Sequence, residues 1–439
     1  MPPPAWPVPW ETWRASSSTS VAVGETSLEG SQHVGISVTS ESGELEREVR
    51  ELLDTLARDH KLPLEGYRTL VAACSPVVAE YAASLAVQQR QETYGNAVFV
   101  RGLIELSSYC MNDCLYCGIR HSNASAERYR LSREQIMDCC EQGYELGFRT
   151  FVLQGGEDPT LTDEVVCGLV RAIKERYPDC AITLSLGERS RASYQALFDA
   201  GADRYLLRHE TADAEHYAHL HPKSMSFEHR MQCLRDLKEI GYQVGCGFMV
   251  GSPWQTPDTL AKDLKFIEGL RPAMCGIGPF VPHHATPFAD REQGTVALTC
   301  YLLSLLRLID PTLNIPATTA LGTIDPRGRE RGIKSGANVV MPNLSPRDVR
   351  KKYELYDNKI CTGEEAAECR SCLARRIGSI GYEVVVDRGD ARQAAFASQG
   401  AATGPALLAA DPSAASCAAT RVAASAVEEA LRHHRPARR

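Results

Sequence analysis

The sequence has no run of about 18 uncharged apolar residues, the length a helix needs to cross a bilayer, so no membrane span is expected. Its best apolar stretch, residues 301–309, is short and carries Arg307. A surplus of basic charge is missing as well. With 48 Lys+Arg against 55 Asp+Glu the net charge is −7, which argues against a chain built to hold nucleic acid or an anionic membrane surface. No apolar signal segment follows Met1, so the 16 cysteines do not read as a secreted disulfide framework. They point instead to an intracellular, reducing compartment. A chain of 439 residues with 44% hydrophobic content can bury a large core, in one α/β barrel or in several smaller domains.

The two ends differ from the middle. Residues 1–42 begin with Pro2, Pro3, Pro4, Pro7 and Pro9 and continue without a helical period. They read as an unstructured tail or as a Ser-rich transit peptide, although Glu11, Glu25, Glu29 and Glu41 are unwelcome in the latter. A transit peptide would place the protein in a plastid stroma, a plain tail in the cytoplasm. From 391 to 439, 18 of 49 residues are Ala, a composition of linkers and solvated tails. Within 43–96, amphipathic helices are expected near 44–58 and 76–93. Across 97–356, apolar, β-branched strand candidates at 97–106, 150–154, 181–186, 204–208, 243–249, 274–278, 314–318 and 338–341 alternate with helical stretches. Eight βα units predict a TIM-type (β/α)8 barrel with its functional residues at the C-terminal strand ends, a doubly wound sheet being the alternative. Residues 357–390 form a separate cysteine-bearing segment.

Cys110, Cys114 and Cys117 are spaced C-x3-C-x2-C directly after the first strand candidate. Three thiolates on one loop can ligate three irons of a cubane cluster and leave the fourth iron open. A structural zinc would want a fourth ligand, for which His121 is a candidate. Tyr116, the aromatic residue before the third cysteine, completes a signature that, inside a barrel pattern, resembles the radical S-adenosylmethionine (SAM) superfamily. That resemblance implies a 4Fe-4S cluster, SAM chelated by the open iron, and reductive cleavage of SAM to a 5′-deoxyadenosyl radical. Gly155, Gly156 and Glu157 close the second strand candidate and look like the Gly-Gly-Glu motif that receives the SAM amino group, where a side-chain-free approach is needed. On its own such a sequence is only a turn. By the same resemblance Ser185, Glu210 and Arg230 correspond to SAM contacts, and Met249 lies beside them. The plainer alternative for Glu210 and Arg230 is a structural ion pair at the barrel rim.

Longer strings narrow the likeness. Arg-His-Glu-Thr-Ala-Asp (208–213), Gly-Ile-Gly-Pro-Phe-Val-Pro-His (276–283), Asn-Ile-Pro-Ala-Thr-Thr-Ala-Leu-Gly-Thr (314–323) and Gly-Ala-Asn-Val-Val-Met-Pro-Asn (336–343) are similar to the HydE branch, the FeFe-hydrogenase maturases, over roughly 44–388. The resemblance implies a large barrel cavity with Arg208, Thr318, Thr319, Met341 and Tyr353 near the substrate. It also implies a small anionic organometallic or amino-acid-derived substrate on the way to the di-iron subcluster of the H-cluster. An electron donor such as a ferredoxin or flavodoxin and the other hydrogenase maturases would be its partners. Cys361, Cys369 and Cys372, spaced C-x7-C-x2-C, imply a second iron–sulfur cluster, 2Fe-2S or 4Fe-4S; a zinc site or a chance grouping is the plainer option. One departure is Trp254, where the branch commonly has Gly. Methylornithine synthase and biotin synthase are the related alternatives, although only Cys246 and Cys275 lie on strands suited to the latter's second cluster. A cluster carrier without radical chemistry is the alternative of a different class; it would have no use for a SAM pocket.

Overall fold

The computed structural model describes residues 38–363 and 366–393, with the side chains of 38–45 and 366–369 outside that description. The expectations for 1–37 and 394–439, transit peptide and Ala-rich tail included, therefore fall outside the described residues. Strands Gly102–Ser107, Thr150–Gly155, Ala181–Ser185, Arg204–Leu206, Gln243–Cys246 and Met274–Cys275 pair in that order, all parallel. Single parallel bridges carry the circle on, from Met274 to Asn314, from Pro316 to Val339 and from Asn343 back to Leu103. Ala97–Val100 also pairs with Val339–Val340. The result is the expected closed (β/α)8 barrel. Its seventh strand, expected over 314–318, is reduced to two bridges, since Pro316 has no N–H to add to a ladder. The first strand candidate is two segments because its neighbour changes at Arg101: Glu383–Val385 lies beside the lower half and Thr150–Gly155 beside the upper.

Side chains alternate across the barrel wall. Ile104 and Leu106 face the helices in the main core, while Glu105 between them points inward. The helices start where a hydroxyl caps them: Ser132, Thr162, Ser190, Ser226, Thr256 and Thr295 each accept the N–H three residues on. Ser132 and Thr256 form full capping boxes. Three helices precede the barrel, Val38–Asp59, Leu64–Ala72 and Pro76–Tyr94. The first begins earlier than its sequence pattern suggests, and the second is too short to show a period. The last helix before the cysteine-bearing segment is only Arg347–Arg350, and the short helices Ala214–Leu220 and Thr319–Ile324 lie in the loops that follow strands. Among the described residues no helix is long and apolar enough to cross a membrane.

The N-terminal end of the barrel has a floor. After Glu383–Val385 the chain crosses beneath the strands. Arg388 O accepts from Thr150 Oγ1 at 2.7 Å and Arg204 Nη2 at 2.8 Å. Gly389 O accepts from Arg101 and Asn314, both at 3.1 Å, and Asp390 Oδ1 accepts from Gln243 at 2.9 Å. Gly389 has φ +60°, and a Cβ there would lie 2.9 Å from Phe99, so this crossing requires glycine.

Candidate functional site

The cysteine loop leaves the first strand at the C-terminal end of the barrel. Arg128 shapes it by donating to four of its carbonyls, those of Ser108, Ile119, Arg120 and Asn123. Cys110, Cys114 and Cys117 are half-buried, and burial pushes each thiol up, Cys117 to about 12. The three sulfurs do not converge within 4.8 Å of one another. One tetrahedral zinc would need sulfurs about 3.8 Å apart, given its ~2.3 Å bonds, so the spread suits three separate irons better. His121 is exposed and is not gathered with them, which removes the zinc alternative's fourth ligand.

The Gly-Gly-Glu turn lies directly against this loop. Met111 N donates to Glu157 O at 2.9 Å, and a Cβ on Gly156 would sit 2.3 Å from Tyr109 O and 2.7 Å from Cys110 Cβ. Gly155 ends the strand. Glu157 is raised in pKa by burial and accepts from Glu188 N at 2.9 Å. Ser185 ends the neighbouring strand in register with Gln154. Glu210 stands at φ +64°, with Oε2 3.1 Å from Arg208 Nη2. Arg230 is not its partner: its guanidinium pairs with Glu188 and donates to Arg208 O at 2.6 Å. The plainer alternative to SAM contacts, an ion pair between Glu210 and Arg230, is thus not formed; Glu210 pairs with Arg208 and Arg230 with Glu188. Outside the Arg208–Glu210 ion pair, Arg208 Nε and Thr318 Oγ1 are shielded from solvent yet have no hydrogen-bond partner. Buried polar atoms in that state mark the place of a polar ligand.

The remaining expected residues divide by depth. Tyr116 and Met249 sit at the mouth among Leu115, Leu220, Phe280 and Phe288, with Tyr116 Oη 3.3 Å from His221 Nε2. Trp254 stacks on His219 at 4.8 Å beneath Arg291 and covers the outer rim. Thr318 precedes and Thr319 begins the helix Thr319–Ile324. Tyr353 is buried and accepts from Gln154 Nε2 at 3.3 Å. Met341 packs with Tyr94, Phe99 and Val339, the Phe99 that touches the floor, and so lies away from the mouth. Beyond the last barrel helix, Cys361 and Cys372 line a cavity of about 710 Å³ with Arg329, Arg375 and Arg376, and Arg329 Nη2 donates to Cys361 Sγ at 3.1 Å. The Cys369 side chain lies outside the described residues.

Several residues escaped the sequence reading. Asp158 ties Ser107, Arg130 and Thr160 together under the cysteine loop. Glu105 holds Lys359 at 2.5 Å and Asn343 at 2.8 Å inside the barrel. A lone acid in the apolar strand Gly102–Ser107 was the available signal. His283, His284 and Asp357 come close enough for a metal, but His283 Nδ1 accepts from Ala285 N at 3.1 Å, which leaves its proton on the nitrogen facing Asp357. Asp357 is bonded to His284, through the His284 backbone N–H at 2.9 Å and ring at 2.7 Å, while His283 Nε2 stands 3.9 Å off.

The family model described as the radical SAM superfamily matches residues 104–267. A relative, the [FeFe] hydrogenase maturase subunit HydE of Thermotoga maritima, is 45% identical over 297 residues, 68% of this chain and 84% of that protein. The chain belongs to the radical SAM superfamily. The 3-methylornithine synthase of Methanosarcina acetivorans is 30% identical over 67% of this chain and 82% of its own length. Among solved structures, methylornithine synthase (PylB) superposes with a TM-score of 0.68 at 28% identity, over 76% of this chain and 97% of that one. A radical SAM enzyme works with a 4Fe-4S cluster and SAM, and the residues present fit both. Three spread thiols offer the cluster its ligands. Gly156 leaves the space a side chain would fill, and Arg208 Nε and Thr318 Oγ1 are shielded polar atoms whose hydrogen bonds a polar guest would supply.

Proposed function

We propose that this radical SAM enzyme is a hydrogenase maturase that acts on a precursor of the di-iron subcluster of the H-cluster. The observation that carries this reading is the 45% identity to HydE across most of both chains, against 30% to 3-methylornithine synthase. Cys110, Cys114 and Cys117 would hold the cluster, and the Gly155–Gly156–Glu157 turn, Ser185, Glu210 and Arg230 would border SAM. When bound, cluster and SAM supply a 5′-deoxyadenosyl radical by one-electron reductive cleavage. The chain's own part is to orient and to exclude water. Tyr116, Met249, Phe280 and Phe288 close the mouth with apolar surface, and the floor closes the far end. Arg208 gives the interior a fixed positive charge, and Thr318, Thr319 and Tyr353 give it hydroxyls. Such a lining suits a small anionic organometallic or amino-acid-derived substrate rather than a peptide or polymer.

A ferredoxin or flavodoxin would deliver the electron, and the other hydrogenase maturases would supply and receive the intermediates. Cys361, Cys369 and Cys372 would hold a second cluster, 2Fe-2S or 4Fe-4S, in the arginine-lined cavity beyond the barrel. The test is anaerobic. Reconstituted protein with dithionite and SAM is expected to release 5′-deoxyadenosine and to support hydrogenase activation in a defined maturation mixture. Protein that fails in that mixture but makes methylornithine from lysine would overturn the assignment.

A further inference from the structure

Glu210 offers its carboxylate from a backbone conformation that residues with a Cβ avoid, φ +64°. Its neighbours on both sides are held from behind the barrel wall. His209 is fully buried, its ring 4.8 Å from Phe266 and 5.9 Å from Phe248. Its Nδ1 accepts the Gly247 N–H at 3.3 Å, which puts the ring proton on Nε2; that atom makes a close polar contact with Asp263 Oδ1 at 3.4 Å, short of a hydrogen bond. The same Asp263 oxygen accepts the Ala212 N–H at 2.5 Å. One atom therefore reaches the residue before Glu210 and the residue two after it, while Glu210 N donates to Gly247 O at 3.0 Å.

Packing does not explain Asp263. It is fully buried on the helix Pro257–Leu270 among Leu260, Ala261, Leu264 and Ile267, where an apolar side chain would avoid the cost of burying a carboxyl. Its Oδ2 has no hydrogen-bond partner. Burial drives Asp263 strongly upward in pKa and His209 down to about 3, so the imidazole is neutral near pH 7.

We propose that Asp263 and His209 form a positioning clamp that fixes residues 209–212 from outside the barrel, so that Arg208 and Glu210 face the cofactor pocket together. This rests on the reading of Glu210 as a SAM contact. The experiment measures SAM dissociation constants of the anaerobically reconstituted holoenzyme in a double-mutant cycle with Glu210→Gln. Asp263→Leu, which removes the acceptor oxygen, is expected to weaken SAM binding about tenfold, a loss of about 1.4 kcal/mol. Asp263→Asn keeps that oxygen and is expected to stay within about threefold of wild type. In the Glu210→Gln background the leucine change is expected to cost less than about twofold, because the carboxylate the clamp aims is gone. Iron content is expected to be equal in all variants. Equal losses in both backgrounds, or equal effects of Leu and Asn, would overturn the clamp alone. A Glu210→Gln variant that binds SAM like wild type would overturn the reading of Glu210 and the clamp with it. If the leucine variant does not fold, His209→Phe keeps the ring packing on Phe266 and runs through the same cycle with the same outcomes.

Discussion

Asp158 stands beside the Gly-Gly-Glu turn, and its protonation follows from a contest of two effects. Burial alone would raise its pKa, but bonds from Arg130, Ser107 and Thr160 override that and bring it to about 2. A carboxyl whose folded value lies below its unfolded ~3.9 adds stability that is complete above about pH 4 and lost as pH falls toward 2. Asp158→Asn is expected to lower stability by about 2 kcal/mol at neutral pH and to flatten the pH dependence in that window, read from melting temperature against pH. Gly156 answers to sterics instead. Gly156→Ala places a methyl 2.3 Å from Tyr109 O and is expected to cut 5′-deoxyadenosine release at least about tenfold, since the cysteine loop must shift. Replacing any one of Cys110, Cys114 or Cys117 with Ala is expected to abolish that release; a variant cleaving SAM at the wild-type rate would refute the ligand assignment. At this scale the cysteines and the glycine pair could be singled out from the sequence because spacing, Tyr116 and the strand candidates before them mark the loop and the turn. Asp158 and Glu188 could not, since their partners come from other loops and no spacing encodes such a meeting.

Between the barrel and Cys361 the chain runs as a strap over the mouth. Leu355 O accepts from Gly118 N at 2.9 Å, Asp357 N donates to Pro282 O at 3.1 Å, and Lys359 reaches in to Glu105 and to Tyr353 O at 2.7 Å. Glu105 is 1% exposed, so its ion pair is the anchor. Lys359→Met leaves a buried carboxylate without its counter-charge and is expected to cost about 3–5 kcal/mol in urea unfolding, while adding Glu105→Gln recovers most of it. Equal stability of the single and double variants would show that the strap is held elsewhere. The sequence pattern located the barrel because strands such as Thr150–Gly155 and Ala181–Ser185 are apolar runs between capped helices. It missed this strap, whose residues 353–361 have no period, and the helix Leu64–Ala72, which spans little more than two turns. It overextended the seventh strand because β-branched residues around Pro316 read as a ladder that proline cannot make.

For the molecule as a whole, the two cysteine groups belong to different parts of the fold. Replacing Cys361, Cys369 and Cys372 together is expected to lower iron content while leaving SAM cleavage largely intact; complete loss of cleavage in a folded triple variant would show that the second group serves the first. The floor belongs to the end of the described chain. Burial would raise the Asp390 carboxyl, yet Arg204 and Arg388 hold it far below the usual carboxylate range. It closes with contacts such as Arg101 to Gly389, 288 positions apart in sequence. Contacts so distant carry a large loop-closure entropy and tend to form after the rate-limiting step of folding. The barrel wall can therefore assemble while its lower end is still open, and the crossing segment works as a latch on unfolding. Asp390→Asn is expected to speed unfolding several-fold in stopped-flow experiments and to leave the refolding rate unchanged. Slower refolding would place the floor in the folding nucleus. In kinetic terms, the last residues to dock set how long the finished barrel survives.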